Sequence, residues 1–132
     1  DYITIASKGN GRTFGDLGNN AYGGSSGASS TRGIFGAFEN DKKHIHYITI
    51  ASTGNSVYFG DLNTPFSSCA SGTVSSQTRA VIAGGRNPAN VNTIESVEIA
   101  STGNAVDFGD RMIKAQQFAG LSDSHGGVGG GF

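Results

Sequence analysis

Short runs of β-branched and aromatic residues alternate along the chain with clusters of glycine, serine and asparagine. Residues 47–51 (Tyr-Ile-Thr-Ile-Ala) have the composition that β-strands favour. Thr53-Gly54-Asn55 follows, and its Gly and Asn predict a tight turn with positive φ before a return strand at residues 57–59. This part of the chain is therefore predicted to form a β-hairpin.

The same hairpin pattern occurs three times, with turn glycines that lie 45 and 49 residues apart. An asparagine follows each of these glycines, and a Phe-Gly-Asp motif ends each return strand. A residue that recurs in every copy usually maintains the repeat architecture. We therefore predict structural roles for four recurring sets: Gly9, Gly54 and Gly103; Asn10, Asn55 and Asn104; Phe14, Phe59 and Phe108; and Asp16, Asp61 and Asp110.

A second hairpin is predicted in the remainder of each repeat. Its later strand is apolar and ends in small residues, at residues 34–38 and 81–85 and around Val128. Its earlier strand is small and polar, at residues 25–29, 72–76 and 119–122. Four strands in roughly 40–50 residues are typical of a propeller blade, and small residues suit the crowded innermost strands near the axis.

The order of these segments resembles the Kelch repeat of β-propellers. Ala83-Gly84-Gly85 occupies the position of the family's double glycine, and Thr102-Gly103-Asn104 occupies the turn after its third strand. The three recurring Phe residues stand where the family usually has Trp, and the chain contains no Trp. The first repeat also departs from the pattern, with Gly36-Ala37-Phe38 in place of the double glycine.

This resemblance implies an all-β, Kelch-like β-propeller with four-stranded antiparallel blades. Residues 1–132 are interpreted as a single propeller segment that starts at the third strand of a blade, with repeats at about 1–45, 46–94 and 95–132. Three blades are too few to close a normal ring, which needs about four to eight. Unpaired strand edges recruit partners. We therefore expect the ring to be completed by a second copy, giving six blades, or by further repeats of a longer array.

Composition excludes several classes of partner. The net charge is −1 and only 14% of the residues are charged, so nothing favours binding to nucleic acid or to an anionic membrane. No apolar run is long enough to predict insertion into a membrane. Cys69 is the only cysteine, so it cannot form a disulfide within the chain and indicates no redox compartment.

Two recurring sets could carry binding chemistry. Asp16, Asp61 and Asp110 could line a ligand rim, but they lack the dense spacing of a calcium loop, and an Asp at a strand end more often caps a turn. Arg32, Arg79 and His125 occupy matched positions and are the candidate ligand-binding residues, since arginine binds carboxylates in bidentate fashion. The favoured alternative for this set is a salt bridge or hydrogen bond to a neighbouring blade.

The chemistry of metals and catalysis finds little support in the sequence. His44 and His46 would share a face on a strand, but no further ligands accompany them, so we favour a solvated connection and predict no metal. No Gly-x-Ser-x-Gly, phosphate-binding or His-Glu-x-x-His motif is present. Some Kelch-fold enzymes use a copper radical and a Tyr linked to a Cys, but Cys69 has no matched set of Tyr and His nearby. We therefore predict no enzyme activity and no cofactor.

The wording of the repeats resembles repeat proteins of tailed phages, particularly marine ones. That resemblance implies a non-enzymatic structural or binding module of the virion, such as a tail fibre, an appendage or a capsid decoration, acting in assembly or host-surface attachment. The expected partners are further copies of the chain, neighbouring virion proteins, or a glycan or protein of the host surface. The alternatives are an extracellular lectin-like adhesin on a cell surface and a Kelch-type protein-interaction adaptor. Recognition is expected in the connections at residues 18–24, 39–45, 63–71 and 86–94, because loops vary on a constant scaffold.

Overall fold

Two four-stranded antiparallel sheets form the framework of the described chain. The computed structural model describes residues 1–18, 24–36, 43–65, 72–116 and 119–122. The strands are β1 (Ser25–Ala28), β2 (Arg32–Gly36), β3 (His44–Thr49), β4 (Val57–Asp61), β5 (Thr73–Ser75), β6 (Arg79–Arg86), β7 (Asn90–Glu98) and β8 (Val106–Asp110). Both sheets keep the order of the chain, β1-β2-β3-β4 and β5-β6-β7-β8. The predicted all-β class with antiparallel four-stranded units is confirmed.

The two sheets repeat one another in register. Tyr47 lies opposite Val57 in the pair β3–β4, and Ser96 lies opposite Val106 in the pair β7–β8. Each pair contains a bulge at the same point, which falls between Ile45 and His46 in the first sheet and directly after Ile94 in the second. The strands of small residues, β1 and β5, each pair with the apolar strand that follows them. Both hairpins of the predicted repeat are therefore present in each sheet.

The first copy of the repeat departs from the prediction. Residues 1–18 contain a single isolated bridge, in which Tyr2 N donates to Arg12 O at 2.8 Å and Arg12 N donates to Tyr2 O at 2.9 Å. This pair corresponds to Tyr47–Val57 of the first sheet. The prediction of a full hairpin in all three copies is wrong here, because no described strand flanks Tyr2 as β2 flanks β3. A two-stranded ribbon without a third strand is marginally stable.

The turn glycines do not have the positive φ that the sequence predicted. Gly9, Gly54 and Gly103 lie outside the left-handed region, and the described glycines with positive φ are Gly84, Gly85 and Gly109. The connection between β3 and β4 spans residues 50–56, with Ser52 N donating to Thr49 O at 3.2 Å. A connection of this length closes without a left-handed residue, whereas a two-residue hairpin turn requires one.

One predicted connection is mostly strand. Strand β6 continues to Arg86 and β7 begins at Asn90, so residues 86–94 contain a turn of only three residues. Asn87 N donates to Ala89 O at 2.8 Å, and Arg86 Nε donates to Pro88 O at 2.7 Å. The double glycine lies just before this turn, where the register of β6 and β7 shifts. The segments expected at residues 18–24, 39–45 and 63–71 fall largely outside the described residues, as does Val128.

The hydrophobic core lies between the sheets. The first sheet and the residue that follows it contribute Ile34, Ile45, Phe59 and Leu62, and the second repeat contributes Ala80, Ile82, Val97, Ile99 and Ala105. Side chains alternate between the two faces of a strand. In the repeat alignment Ile82 corresponds to Phe35, which lies on the opposite face from Ile34. The sheets therefore use opposite faces for the shared core and stack in the same orientation, the front of one against the back of the next.

The strands of small residues lie side by side. A Cβ at Gly27 would lie 3.2 Å from Ala80 Cβ and 3.3 Å from Ser75 Cβ, and Ala28 N donates to Ser75 Oγ at 3.2 Å. Residues 119–122 continue this arrangement, since a Cβ at Gly120 would lie 2.8 Å from Thr73 O. Larger side chains would push these segments apart. No helix among the described residues has the length and apolar character needed to cross a bilayer.

Candidate interaction surface at the repeat junctions

The Phe-Gly-Asp motif of one repeat binds the Gly-Asn turn of the next. Between the two sheets, Gly103 N donates to Phe59 O at 2.9 Å and Ala105 N donates to Asp61 O at 2.8 Å. In return, Asp61 N donates to Asn104 Oδ1 at 3.0 Å. We call residues 59–61 an edge motif, residues 103–105 a turn motif, and their contact a repeat junction.

The first copy of the repeat forms the same junction with the first sheet. Gly54 N donates to Phe14 O at 2.8 Å, and Ser56 N donates to Asp16 O at 2.9 Å. Asp16 N donates to Asn55 Oδ1 at 2.9 Å. Residues 14–16 are thus the edge motif and residues 54–56 the turn motif of this junction. The recurring Asn and Asp residues are brought together in pairs across junctions, and within each pair the aspartate contributes its backbone.

Close approach of the two backbones requires the central glycine of the edge motif. A Cβ at Gly60 would overlap the Gly103 carbonyl and lie 2.9 Å from Asn104 N. A Cβ at Gly15 would likewise overlap the Gly54 carbonyl. The turn glycines Gly54 and Gly103 have open space where their own Cβ atoms would be. The steric demand at the junction therefore falls on the edge glycine.

The recurring phenylalanines differ in their surroundings. Phe59 is 3% exposed and packs edge-to-face on Tyr47, with ring centroids 6.1 Å apart. Phe14 makes the same pair with Tyr2, also at 6.1 Å. Phe108 is 54% exposed, and Ser96 replaces the tyrosine of the other copies. Burial of this position therefore depends on which neighbours a copy has.

Arg32 bridges the two sheets. Its Nη1 donates to Ile99 O at 3.0 Å and to Ala100 O at 2.9 Å. The guanidinium carbon lies 4.5 Å from the centroid of the Tyr47 ring, which is within cation–π range. These contacts tie β2 and β3 to the loop after β7, so Arg32 stabilises the same interface as the edge motif.

Arg79 has the equivalent position in the second sheet but a different partner. Its Nε lies 3.0 Å from Glu98 Oε1, and both side chains are about half exposed. Glu98 is the cross-strand neighbour of Arg79 within its own sheet. His125, the third member of the predicted set, lies outside the described residues. The two arginines do not share a site in this structure, and their predicted role in ligand binding stays a prediction.

A polar cluster surrounds the Asp61 side chain on the first sheet. Lys43 Nζ lies 2.9 Å from Oδ2, Tyr58 OH donates to Oδ1 at 2.9 Å, and His44 Nε2 lies 3.5 Å from Oδ1. The hydrogen bond from Lys43 is the main cause that lowers the pKa of Asp61, and the same bond raises the pKa of Lys43. Sequence reasoning missed this cluster, because only the pairing of His44 with Asp61 across β3 and β4 brings its members together.

The two histidines lie on a strand. His44 and His46 both belong to β3, so the predicted solvated connection is wrong. Their rings stack edge-on against Tyr58, with centroids 5.5 Å and 6.2 Å away. Within the described ranges, no group of three His, Cys, Asp or Glu side chains could hold a metal ion.

A buried carboxylate anchors the chain after β4 to the second sheet. Glu95 is 2% exposed, and its two oxygens accept hydrogen bonds from Asn63 N and Thr64 N, both at 2.8 Å. Asn63 Nδ2 also donates to Ala105 O at 2.9 Å. A buried carboxylate needs such partners. Glu95 was not singled out by the sequence, although a charged residue inside an otherwise β-branched strand is the signal that could have found it.

An apolar groove separates the first copy from the first sheet. It has a volume of about 370 Å³. Its apolar walls are Tyr2, Phe14, Leu17, Phe35, Ile48 and Ile50. The corresponding face of the second sheet is buried in the core, with Ile99 at 0% exposure where Ile50 is 45% exposed. The groove therefore marks a sheet face that is only partly covered.

Comparison with known proteins adds no family to this geometry. No protein-family model matches the chain, and no curated protein matches it. Any statement about function therefore depends on the junctions, the polar cluster and the groove.

Proposed function

We propose that this chain is a non-enzymatic structural and binding module of propeller-type blades in the virion of a tailed phage. It serves there in assembly or in attachment to the host surface, as part of a tail fibre, an appendage or a capsid decoration. The propeller part of the proposal is supported by sheets that stack front to back with their small-residue strands adjacent.

The observation that carries the proposal is the use made of the recurring residues. In the two described junctions the turn asparagines accept hydrogen bonds from the neighbouring repeat, and the edge glycines permit close contact of backbones. Arg32 joins the two sheets as well. The residues that the copies share thus hold the array together, which is the requirement of a scaffold.

Binding to a partner is assigned to features that differ between the copies. The cluster of Lys43, His44, Tyr58 and Asp61 belongs to the middle copy, and Tyr58 is 52% exposed. At the corresponding place in the second sheet Thr93 lies opposite Asp110. A surface that varies on a constant scaffold is where specific recognition is expected. We therefore place the contact with a host glycan or a neighbouring virion protein at this cluster.

The first test is the protein content of purified particles. Virions of the phage that encodes the sequence are banded on a density gradient and digested for mass spectrometry. Peptides of this chain are expected to co-purify with the major capsid protein at a constant ratio across the band. A host cytosolic protein serves as the contamination control. Absence of the chain from particles, or a ratio that follows the contaminant, contradicts the virion proposal.

A second test separates attachment from assembly. The purified chain is added to host cells before infection, and adsorption of the phage is measured. Inhibition that is lost with Tyr58→Ala but retained with Thr102→Ala, an exposed turn residue far along the chain, supports attachment through the polar cluster. No inhibition by the wild-type chain assigns it to assembly. Binding on a glycan array, together with absence from virions, would favour the adhesin alternative.

A further inference from the structure

Two surfaces of the chain correspond to the two sides of its own repeat junctions. The first, the open edge, consists of Arg79 and residues 108–110. The second, the open turn, consists of Ile5 and residues 9–11. We propose that the open edge of one copy binds the open turn of a second copy, head to tail. This inference concerns contacts between identical chains and does not depend on the virion proposal.

The open edge has the shape of an edge motif without its turn. Residues 108–110 continue β8 with the same bulge that precedes residues 59–61 in β4. A Cβ at Gly109 would have no atom within 4 Å, whereas one at Gly60 would overlap the neighbouring turn. Phe108 is 54% exposed, against 3% for Phe59. The edge is therefore formed in the single chain, and its binding face is uncovered.

The open turn is equally uncovered. Ile5 is 96% exposed, although its equivalents are 45% exposed at Ile50 and 0% exposed at Ile99. Ile99 is the copy that faces a complete preceding sheet, with Arg32 bound to its carbonyl. The Asn10 side chain has no hydrogen-bond partner in the described part of the chain, while Asn55 and Asn104 each accept a bond from an edge motif. An isoleucine exposed to this extent marks a contact surface.

The bonds of the proposed contact follow from the two junctions within the chain. Gly9 N and Gly11 N of one copy donate to the carbonyls of Phe108 and Asp110 of the other. Asp110 N donates in return to Asn10 Oδ1. Both described junctions have this set of three bonds at 2.8–3.0 Å. The second copy is therefore recognised by a geometry that the chain already uses twice.

Arg79 supplies the remaining contact. It is bound at 3.0 Å to Glu98 and half exposed, and it occupies the position of Arg32 in the second sheet. Arg32 donates to the carbonyls of Ile99 and Ala100, whose equivalents in the first copy are Ile5 and Ala6. In the assembly Arg79 donates to these two carbonyls of the second copy. Ile5 is then covered as Ile99 is.

The two surfaces are different, so the contact is heterologous. Each copy in a pair keeps one edge and one turn for a further contact. Such contacts close into a ring when the rotation permits and otherwise extend into a fibre. Both assemblies require an intact edge on one copy and an intact turn on its neighbour, which makes complementation between two defective copies possible.

The test uses three charge-introducing variants of the full chain. Ile5→Asp damages the open turn and Phe108→Asp damages the open edge. Val57→Asp is the matched control, since Val57 is 53% exposed on the first sheet and lies outside both surfaces. Gly109 is left unchanged, because its φ of 139° would strain any other residue. Mass is measured by sedimentation over a range of concentrations, and circular dichroism checks that each variant folds.

The wild-type chain and Val57→Asp are expected to form multiples of the 13.4 kDa chain as concentration rises. Ile5→Asp and Phe108→Asp each weaken self-association by at least about thirty-fold, as loss of an interface hot spot does. Their equimolar mixture recovers a heterodimer, since one copy supplies an intact edge and the other an intact turn. A wild-type chain that stays monomeric overturns the proposal. Loss of association in both variants without recovery in the mixture also overturns it, because a symmetric contact behaves in that way.

Discussion

The edge motifs at residues 59–61 and 108–110 have the same three amino acids, the same strand position and the same preceding bulge, but different surroundings. The first is covered by the turn of the next repeat, and Phe59 is 3% exposed. The second has no neighbour in the described chain, and Phe108 is 54% exposed. The local sequence therefore determines the strand and its bulge, and the neighbouring repeat determines whether the motif is buried.

The opposite side of the junction shows the same dependence in three steps. Ile99, Ile50 and Ile5 are 0%, 45% and 96% exposed. Ile99 faces a complete sheet, Ile50 faces only the short first copy, and Ile5 faces no described repeat. Burial of the same residue thus grows with the amount of structure that precedes it. Nearest-neighbour contacts of this kind are characteristic of repeat proteins.

The largest difference between the two edge motifs is expected from truncating their phenylalanines. Phe59→Ala removes a buried ring and should lower the free energy of unfolding by about 3–5 kcal/mol. Phe108→Ala should change it by less than about 0.5 kcal/mol in the dilute, unassociated chain, because the ring is half exposed. Urea denaturation followed by tyrosine fluorescence measures both. Equal losses would show that the junction does not determine the contribution of this residue.

A smaller difference is expected between the glycines on the two sides of one junction. Gly60→Ala places a methyl group against the Gly103 carbonyl and should cost roughly 1–3 kcal/mol, as overpacking does. Gly103→Ala meets open space and avoids positive φ, so it should be neutral or stabilise by up to about 1 kcal/mol. Thermal unfolding of the two variants checks the order. A larger loss for Gly103→Ala would contradict the assignment of the steric demand to the edge glycine.

The matched arginines are expected to differ less than the glycines. Arg32→Gln removes two hydrogen bonds between the sheets and should cost about 1–2 kcal/mol. Arg79→Gln removes an exposed ion pair and should cost less than about 1 kcal/mol. Denaturation in urea at low and high salt distinguishes them further, because salt should reduce only the Arg79 contribution. An Arg79 variant that is the less stable of the two would overturn the comparison.

The sequence predicted the parts of the fold that depend on local pairing. Both hairpins, the strands of small residues and the antiparallel order in each sheet follow from short segments and from their recurrence. The hairpin of the first copy was wrongly predicted, because its extension needs a flanking strand. The conformation of Gly54 and Gly103 was also wrongly predicted, since the turns are longer than the Gly-Asn pattern suggests.

The site depends on contacts that sequence patterns do not encode. Recurrence identified the Asn, Gly, Phe and Asp sets, but their pairing across junctions joins residues about 40 positions apart, such as Asp61 and Asn104. The Glu95 anchor and the Asp61 cluster each occur in one described copy, so repetition gave no signal for them. Their partners meet only after the register of the strands and the stacking of the sheets are established.

The smallest expected effect concerns the charge on the covered edge motif. Lys43 lowers the pKa of Asp61, so the ion pair stabilises the folded chain fully at pH values above the ordinary Asp pKa of about 4. That contribution is lost as the pH falls through the lower pKa of the folded state. The raised pKa of Lys43 gives the opposite limit, with loss above about pH 10.4. Asp61→Asn should therefore flatten the acid side of the stability profile slightly.

The measurement is the unfolding midpoint in urea between pH 2.5 and pH 6 for the wild type, Asp61→Asn and Lys43→Gln. Both variants should lose the same part of the acid dependence, because each removes one partner of a single pair at 2.9 Å. Lys43 is half exposed, so added salt should reduce the difference from the wild type. A Lys43→Gln variant with the full acid dependence of the wild type would mean that Tyr58 and His44, rather than Lys43, hold the Asp61 carboxylate in its charged form.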